Sequence, residues 1–211
     1  MSEMADAPDA MDHMPPSDET RYPFEFRGDG FEFFKIWIVN LLLTIVTLGI
    51  YSAWAKVRTN RYFYSNLYMA GSPFQYLAGP MQILIGRLIA VGAFVIYSVT
   101  ASFYPLVGAG MALLLFAAIP FLVVRSLMFN SRMSAWRNVQ FRFTGGYWEA
   151  FLALYLWPLA GMFTLGILYP YAALKMNEFI VDNNSYGTTK FAFDAGYLDY
   201  AKIFLIALLG F

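Results

Sequence analysis

The chain has 211 residues, 59% of them hydrophobic, 19% aromatic and 13% charged, with a formal net charge of zero. A soluble domain carries about a quarter charged residues, so the composition points to the membrane class, and several apolar runs exclude one buried core as the cause. The absence of cysteine excludes a disulfide framework and thiolate chemistry and leaves the redox compartment unread.

Charge is unevenly placed. Residues 1–32 carry nine acids against Arg21 and Arg27, whereas Phe33 to Trp148 contains no acid and nine Lys or Arg. Residues 1–20, rich in Met, Asp, Pro and Ser, are expected to form a disordered acidic tail. His13, the only histidine, lies there without a second ligand to make a metal site. No basic, apolar leader of the secretory kind opens the chain, so the first apolar span is expected to act as its own insertion signal.

Phe24-Glu25-Phe26-Arg27-Gly28 alternates aromatic and polar residues, the period of a short strand ended by glycine. The phrase recurs at Phe74–Gly79, Phe141–Gly145 and Phe191–Gly196, each time before an apolar run. Partner strands are expected at Leu67–Ala70, Ser134–Trp136 and Asn184–Tyr186, closed by turns at Gly71, Arg137-Asn138 and Gly187. The competing reading is an interfacial aromatic belt without sheet structure.

Apolar spans are expected at 32–54, 82–104, 106–124, 148–173 and 197–211. About twenty residues at about 1.5 Å each match a hydrocarbon core of about 30 Å. On the first span Asn40, Thr44 and Thr47 lie at i, i+4 and i+7, a polar stripe that either lines a pathway or bonds a neighbouring helix. Leu88 to Val124 carries no charge and holds two spans joined at Tyr104-Pro105. Gly86 with Ala90, and Gly108 with Ala112, read as close-packing pairs. Arg87 and Lys202, near span starts, are expected to snorkel to the headgroups. Pro158 and Pro170 interrupt the fourth span.

A shift of 117 positions puts Phe26 on Phe143, Gly28 on Gly145, Thr47–Ile50 on Thr164–Ile167, and Asn60 on Asn177. This predicts a duplication: a tail at 1–20, a first membrane repeat at 21–140, and an incomplete second at 141–211. The second repeat lacks about 46 residues, the difference between positions 140 and 94, so the protein is expected to continue past Phe211.

Cations set the orientation. Lys56, Arg58, Arg61 and Arg87, and then Arg125, Arg132, Arg137 and Arg142, are expected on the cytoplasmic side, with Tyr104-Pro105 opposite. If the first span crosses, the acidic tail is outside and the halves are inverted. If Thr47-Leu48-Gly49 bends the segment back, every hairpin lies on the cytoplasmic face. Crossing is the expected geometry.

No paired carboxylates at catalytic spacing, usable histidine or phosphate loop is present, so neither an enzyme nor a cofactor or metal site is expected. The internal duplication and the polar stripe favour a passive transporter or channel for a small solute. The alternative is a non-catalytic scaffold binding lipid or a partner. The expected partners are the bilayer, through anionic headgroups at the cationic face, and a protein or second copy, but not nucleic acid.

With these residues laid out, the chain resembles the YjgN-like family of bacterial inner-membrane proteins, whose function is unknown. The resemblance rests on Phe26-Arg27-Gly28, Asn40 to Thr44, Thr47 to Tyr51, Trp54 to Arg58 and Arg61-Tyr62. It continues through Gly71 to Phe74, Ser134 with Trp136-Arg137, and Phe141 to Phe143. It departs at Ala53, where the family pattern has proline, and at Lys175 with Glu178 and Asp182, a less cationic segment. It implies a multi-pass, mainly α-helical inner-membrane fold and supplies neither substrate nor catalytic residue.

Overall fold

A computed structural model describes residues 22–209; the acidic tail with His13, and Phe211, lie outside them. The aromatic–polar phrases form strands. β1 (Phe24–Phe26) is followed by the pairs β2 (Leu67–Met69) with β3 (Ser72–Tyr76), β4 (Ser134–Trp136) with β5 (Val139–Phe143), and β6 (Asn184–Tyr186) with β7 (Thr189–Lys190). The hairpin turns use left-handed backbone, at Ala70 and Gly71 (φ 48° and 72°) and at Arg137 and Asn138 (φ 46° and 64°). That twist matches the flanking strands, as two-residue hairpins require. Pairing is antiparallel throughout, and the strand order is β1 to β7 in chain order.

The strands are staggered. β3 gives Ser72 and Pro73 to β2 but Phe74 to Tyr76 to β4. The leading phenylalanine of each recurring phrase therefore lines up across the sheet. Phe24–Phe74, Phe74–Phe141 and Phe141–Phe191 ring centroids lie 6.0, 6.2 and 6.0 Å apart. Such pairs add about 0.5–1.5 kcal/mol each beyond area burial.

Helices fill the gaps between strands. α3 (Pro80–Phe103) and α4 (Pro105–Arg132) are about 36 Å and about 42 Å long and are the two helices, among the described residues, long and apolar enough to cross a membrane. Proline opens both, where its missing N–H costs nothing. α4 runs eight residues past the expected end at Val124, because its last turns pack on the sheet. Val124, Leu127 and Met128 join Phe143 and Phe179 in a core cluster. Arg125 and Arg132 therefore lie on a helix rather than in a loop.

The segment expected to cross at 32–54 is not one helix. α1 (Gly30–Val46) stops, the chain turns over Thr47–Tyr51, and α2 (Ser52–Asn66) packs back along α1. Phe26 pairs with Leu67 and Phe24 with Met69, so both ends of the segment return to the same place. The cause is local. Leu48 and Gly49 take left-handed backbone (φ 49° and 91°), and Gly49 N–H reaches back to Thr44 O at 2.8 Å while Leu48 N–H reaches Ile45 O at 3.1 Å. That pair of bonds is a Schellman stop. Thr47 Oγ1 then accepts from Tyr51 N–H at 2.9 Å and donates to Leu43 O at 2.7 Å.

The segment expected at 148–173 breaks in the same way. α5 (Tyr147–Phe151), a π segment (Leu152–Leu156) and α6 (Trp157–Phe163) form one rod. Pro158 has no N–H for Leu154 O and its ring crowds that carbonyl, which the wider π turn relieves. The rod ends at Leu165 and Gly166 (φ 51° and 94°), with Gly166 N–H on Gly161 O at 2.8 Å and Leu168 N–H on Thr164 Oγ1 at 3.2 Å. α7 (Tyr169–Asp182) returns to β6, and α8 (Tyr197–Leu209) follows β7.

Thr47→Val keeps the shape of the turn but orphans the Tyr51 amide. We expect a loss of about 1–3 kcal/mol in denaturant unfolding of the detergent-solubilised chain, restored by Thr47→Ser. An unchanged midpoint for Thr47→Val would show that the hydroxyl does not hold the turn.

Candidate functional site

The α1–α2 hairpin brings Asn40 into a groove with Trp37, Leu41, Thr44, Ala55, Lys56, Thr59 and Asn60, enclosing about 280 Å³. Asn40 is 5% exposed, and neither Oδ1 nor Nδ2 has a hydrogen-bond partner among the described residues. Leaving such a group unpaired costs about 1–3 kcal/mol. The expected stripe is therefore divided. Thr44 Oγ1 donates to Asn40 O at 2.6 Å and Thr47 serves the turn, so only the Asn40 amide is idle.

The cations do not form one patch. Lys56 lines the Asn40 groove, while Arg58 and Arg61 line a hollow on another side of α2, with Ile36, Tyr62 and β3. Arg61 Nη2 donates to Ala78 O at 3.3 Å. Arg87 does not reach for the sheet-side end of α3; its guanidinium donates to the Ser52 hydroxyl at the start of α2, beside the turn. The hydroxyl supplies the acceptor that the snorkelling expectation left out. Arg125 stacks over Phe121, 5.1 Å from the ring centroid, and Arg132 lines a hollow with Gln140 to Thr144. Arg137 is a clasp between hairpins, donating to Ser72 Oγ at 3.2 Å and Ala70 O at 3.1 Å across the sheet.

Sequence reasoning missed a second polar hollow of about 370 Å³ between the π segment and α7, lined by Glu149, Lys175, Glu178 and Asp182. Its charges are engaged. Lys175 Nζ lies 2.6 Å from Glu178 Oε2, a hydrogen bond that raises the lysine above its ordinary range. Glu149 accepts from Gly146 N–H and Asn183 Nδ2, each at 3.1 Å, and Asp182 accepts from Phe193 N–H at 2.7 Å. The spacing Gly146-x-x-Glu149, a helix-start signature, was the legible signal.

The class these features define is a mainly helical chain in which two membrane-length helices and two doubled-back helical segments connect short paired strands. The chain belongs to the family described as bacterial protein of unknown function (DUF898), which matches residues 21–211. It is similar to the inner membrane protein YjgN of Salmonella typhimurium, 34% identical over 155 residues, which cover 72% of this chain and 38% of that protein. The YjgN of Escherichia coli is 28% identical over 232 aligned positions, covering 92% of this chain and 58% of its own. The chain thus spans less than two thirds of the length of these relatives. No solved structure matches it.

Proposed function

We propose that the chain is part of a multi-pass inner-membrane protein that acts as a non-catalytic, lipid-contacting scaffold. In this reading the strands lie on the cytoplasmic surface, α3 and α4 cross the bilayer, and the α1–α2 and α5–α7 hairpins dip into one leaflet. The observation that carries it is the pair of turn tips. Leu48 and Leu165 are 94% and 96% exposed, yet every N–H from Thr47 to Ser52 and from Thr164 to Tyr169 is bonded within its own turn. A turn that leaves aliphatic side chains bare while satisfying all its amides suits hydrocarbon. Relatives named as inner-membrane proteins support the location.

The duplication belongs to the same proposal, with a finer unit than the sequence suggests. A strand, two helices and a returning strand recur three times. Arg27 N–H to Asn66 O, Leu77 N–H to Met133 O and Thr144 N–H to Asn183 O, at 2.9, 2.7 and 2.9 Å, mark equivalent closures. Passive transport is the competing reading. It needs a continuous polar lining, and both stripe hydroxyls, those of Thr44 and Thr47, are committed to backbone.

The test is a spin label at Leu48→Cys or Leu165→Cys in nanodiscs. We expect relaxation by oxygen and protection from a water-soluble nickel complex. Relaxation by nickel instead would remove the dipping hairpins. Protein-dependent solute efflux from liposomes, lost in Asn40→Leu, would transfer the function to transport.

A further inference from the structure

We propose that the α1–α2 groove binds the glycerophosphate headgroup of an anionic phospholipid, with Lys56 facing the phosphate, Asn40 Nδ2 donating to a phosphoester oxygen and Asn40 Oδ1 accepting from a headgroup glycerol hydroxyl. The proposal rests on the dipping-hairpin reading above and names the ligand that reading leaves open.

The groove has a buried amide with both ends idle. Nothing on α2 answers it, although Thr59 and Asn60 stand around it, half-buried. An unpaired amide at this burial needs a hydrogen-bonding occupant. Its depth is set by α2. Lys56, Arg58 and Arg61 are exposed cations, whose charge sets them at headgroup level rather than in hydrocarbon in the dipping-hairpin reading. Asn40 lies about 15 Å along α1 from Gly30, level with the middle of α2.

The walls are graded. Lys56 is the cation at the groove, and no carboxylate among the described residues lines it, so an anion is favoured over a cation. On the other rim Trp37 and Leu41 are exposed, 47% and 39%, where a glycerol backbone passes into acyl chains. Indole rings favour that boundary. A mobile water could satisfy Asn40 but would leave the cation and the aromatic rim without a use. The position equivalent to Asn40 in the second hairpin is Trp157, which packs edge-on to Tyr171 at 4.7 Å. The site is therefore built once rather than with every hairpin.

The experiment measures phosphatidylglycerol binding to the full chain in nanodiscs by native mass spectrometry, with phosphatidylcholine and inorganic phosphate as comparison arms. We expect Lys56→Gln to weaken phosphatidylglycerol binding about fivefold, and Asn40→Leu about tenfold. Lys35→Gln removes a cation that sits over Phe31, outside the groove, and should stay within about twofold. Unchanged binding in Asn40→Leu, or equal binding of phosphatidylcholine, overturns the proposal. Displacement of the lipid by inorganic phosphate makes a free anion the ligand and overturns it as well. If Asn40→Leu fails to fold, Thr59→Val with Lys56→Gln decides. The spin label at Leu48→Cys in the same nanodiscs separates the two readings. A buried label with unchanged lipid binding overturns only the groove, whereas a water-exposed label overturns the dipping hairpin itself.

Discussion

A cysteine probe at Ser17→Cys should stay unlabelled by an impermeant maleimide in intact cells and react once the membrane is permeabilised, as should Gln75→Cys. Ser102→Cys should label from outside at once. The chain has no native cysteine, so each signal has a single source. The expectation follows from the sheet. β1 begins seven residues after Ser17 and pairs with β2, whose hairpin pairs onward to β4. Paired strands share one side of a membrane, since no open sheet edge survives in hydrocarbon. Ser102 lies at the far end of α3, next to the Tyr104-Pro105 link. Outside labelling of Ser17→Cys would restore a crossing first segment, and the difference is all or none.

Gly108→Ala should destabilise the chain by about 1–3 kcal/mol, against the roughly 1 kcal/mol gain that helix propensity alone assigns to the change. A Cβ at Gly108 would lie 2.6 Å from the Ala101 Cα, and a backbone atom cannot swing aside as a side-chain tip can. α3 and α4 must separate where they meet. Gly110→Ala is the control, because a Cβ there meets nothing within 4 Å. It should be neutral or stabilising in the same denaturant titration. Equal effects from the two substitutions would show that the α3–α4 contact is not tight at Gly108.

Turn chemistry was the most legible part of the sequence. Gly71, Arg137-Asn138 and Gly187 marked the hairpins, and the strands fall within a residue of the expected Leu67–Ala70, Ser134–Trp136 and Asn184–Tyr186. Local φ preference decides such turns, and neighbours report it. The doubling-back of the first apolar segment was legible only as one of two geometries, because length and hydropathy do not register direction. The stop at Leu48-Gly49 needs backbone bonds to Thr44 and Ile45, which periodicity does not reveal. Asn40 was picked out by its spacing, but its isolation from Thr44 and Thr47 was not legible, since those hydroxyls chose backbone partners. The contact of Arg87 was not legible for a related reason: its acceptor, Ser52, lies 35 residues away.

Pairing in strict chain order has a consequence for biogenesis. Each new strand needs only the strand made just before it, and each helical pair closes between two strands consecutive in strand order. Assembly can then proceed from the N-terminus as the ribosome delivers each unit, with the latest strand as the template for the next. Each closure spans no more than one helical pair, so no strand waits beyond the next unit for its partner. A chain stalled after Tyr76 or after Phe143 should therefore already hold its finished hairpins in place.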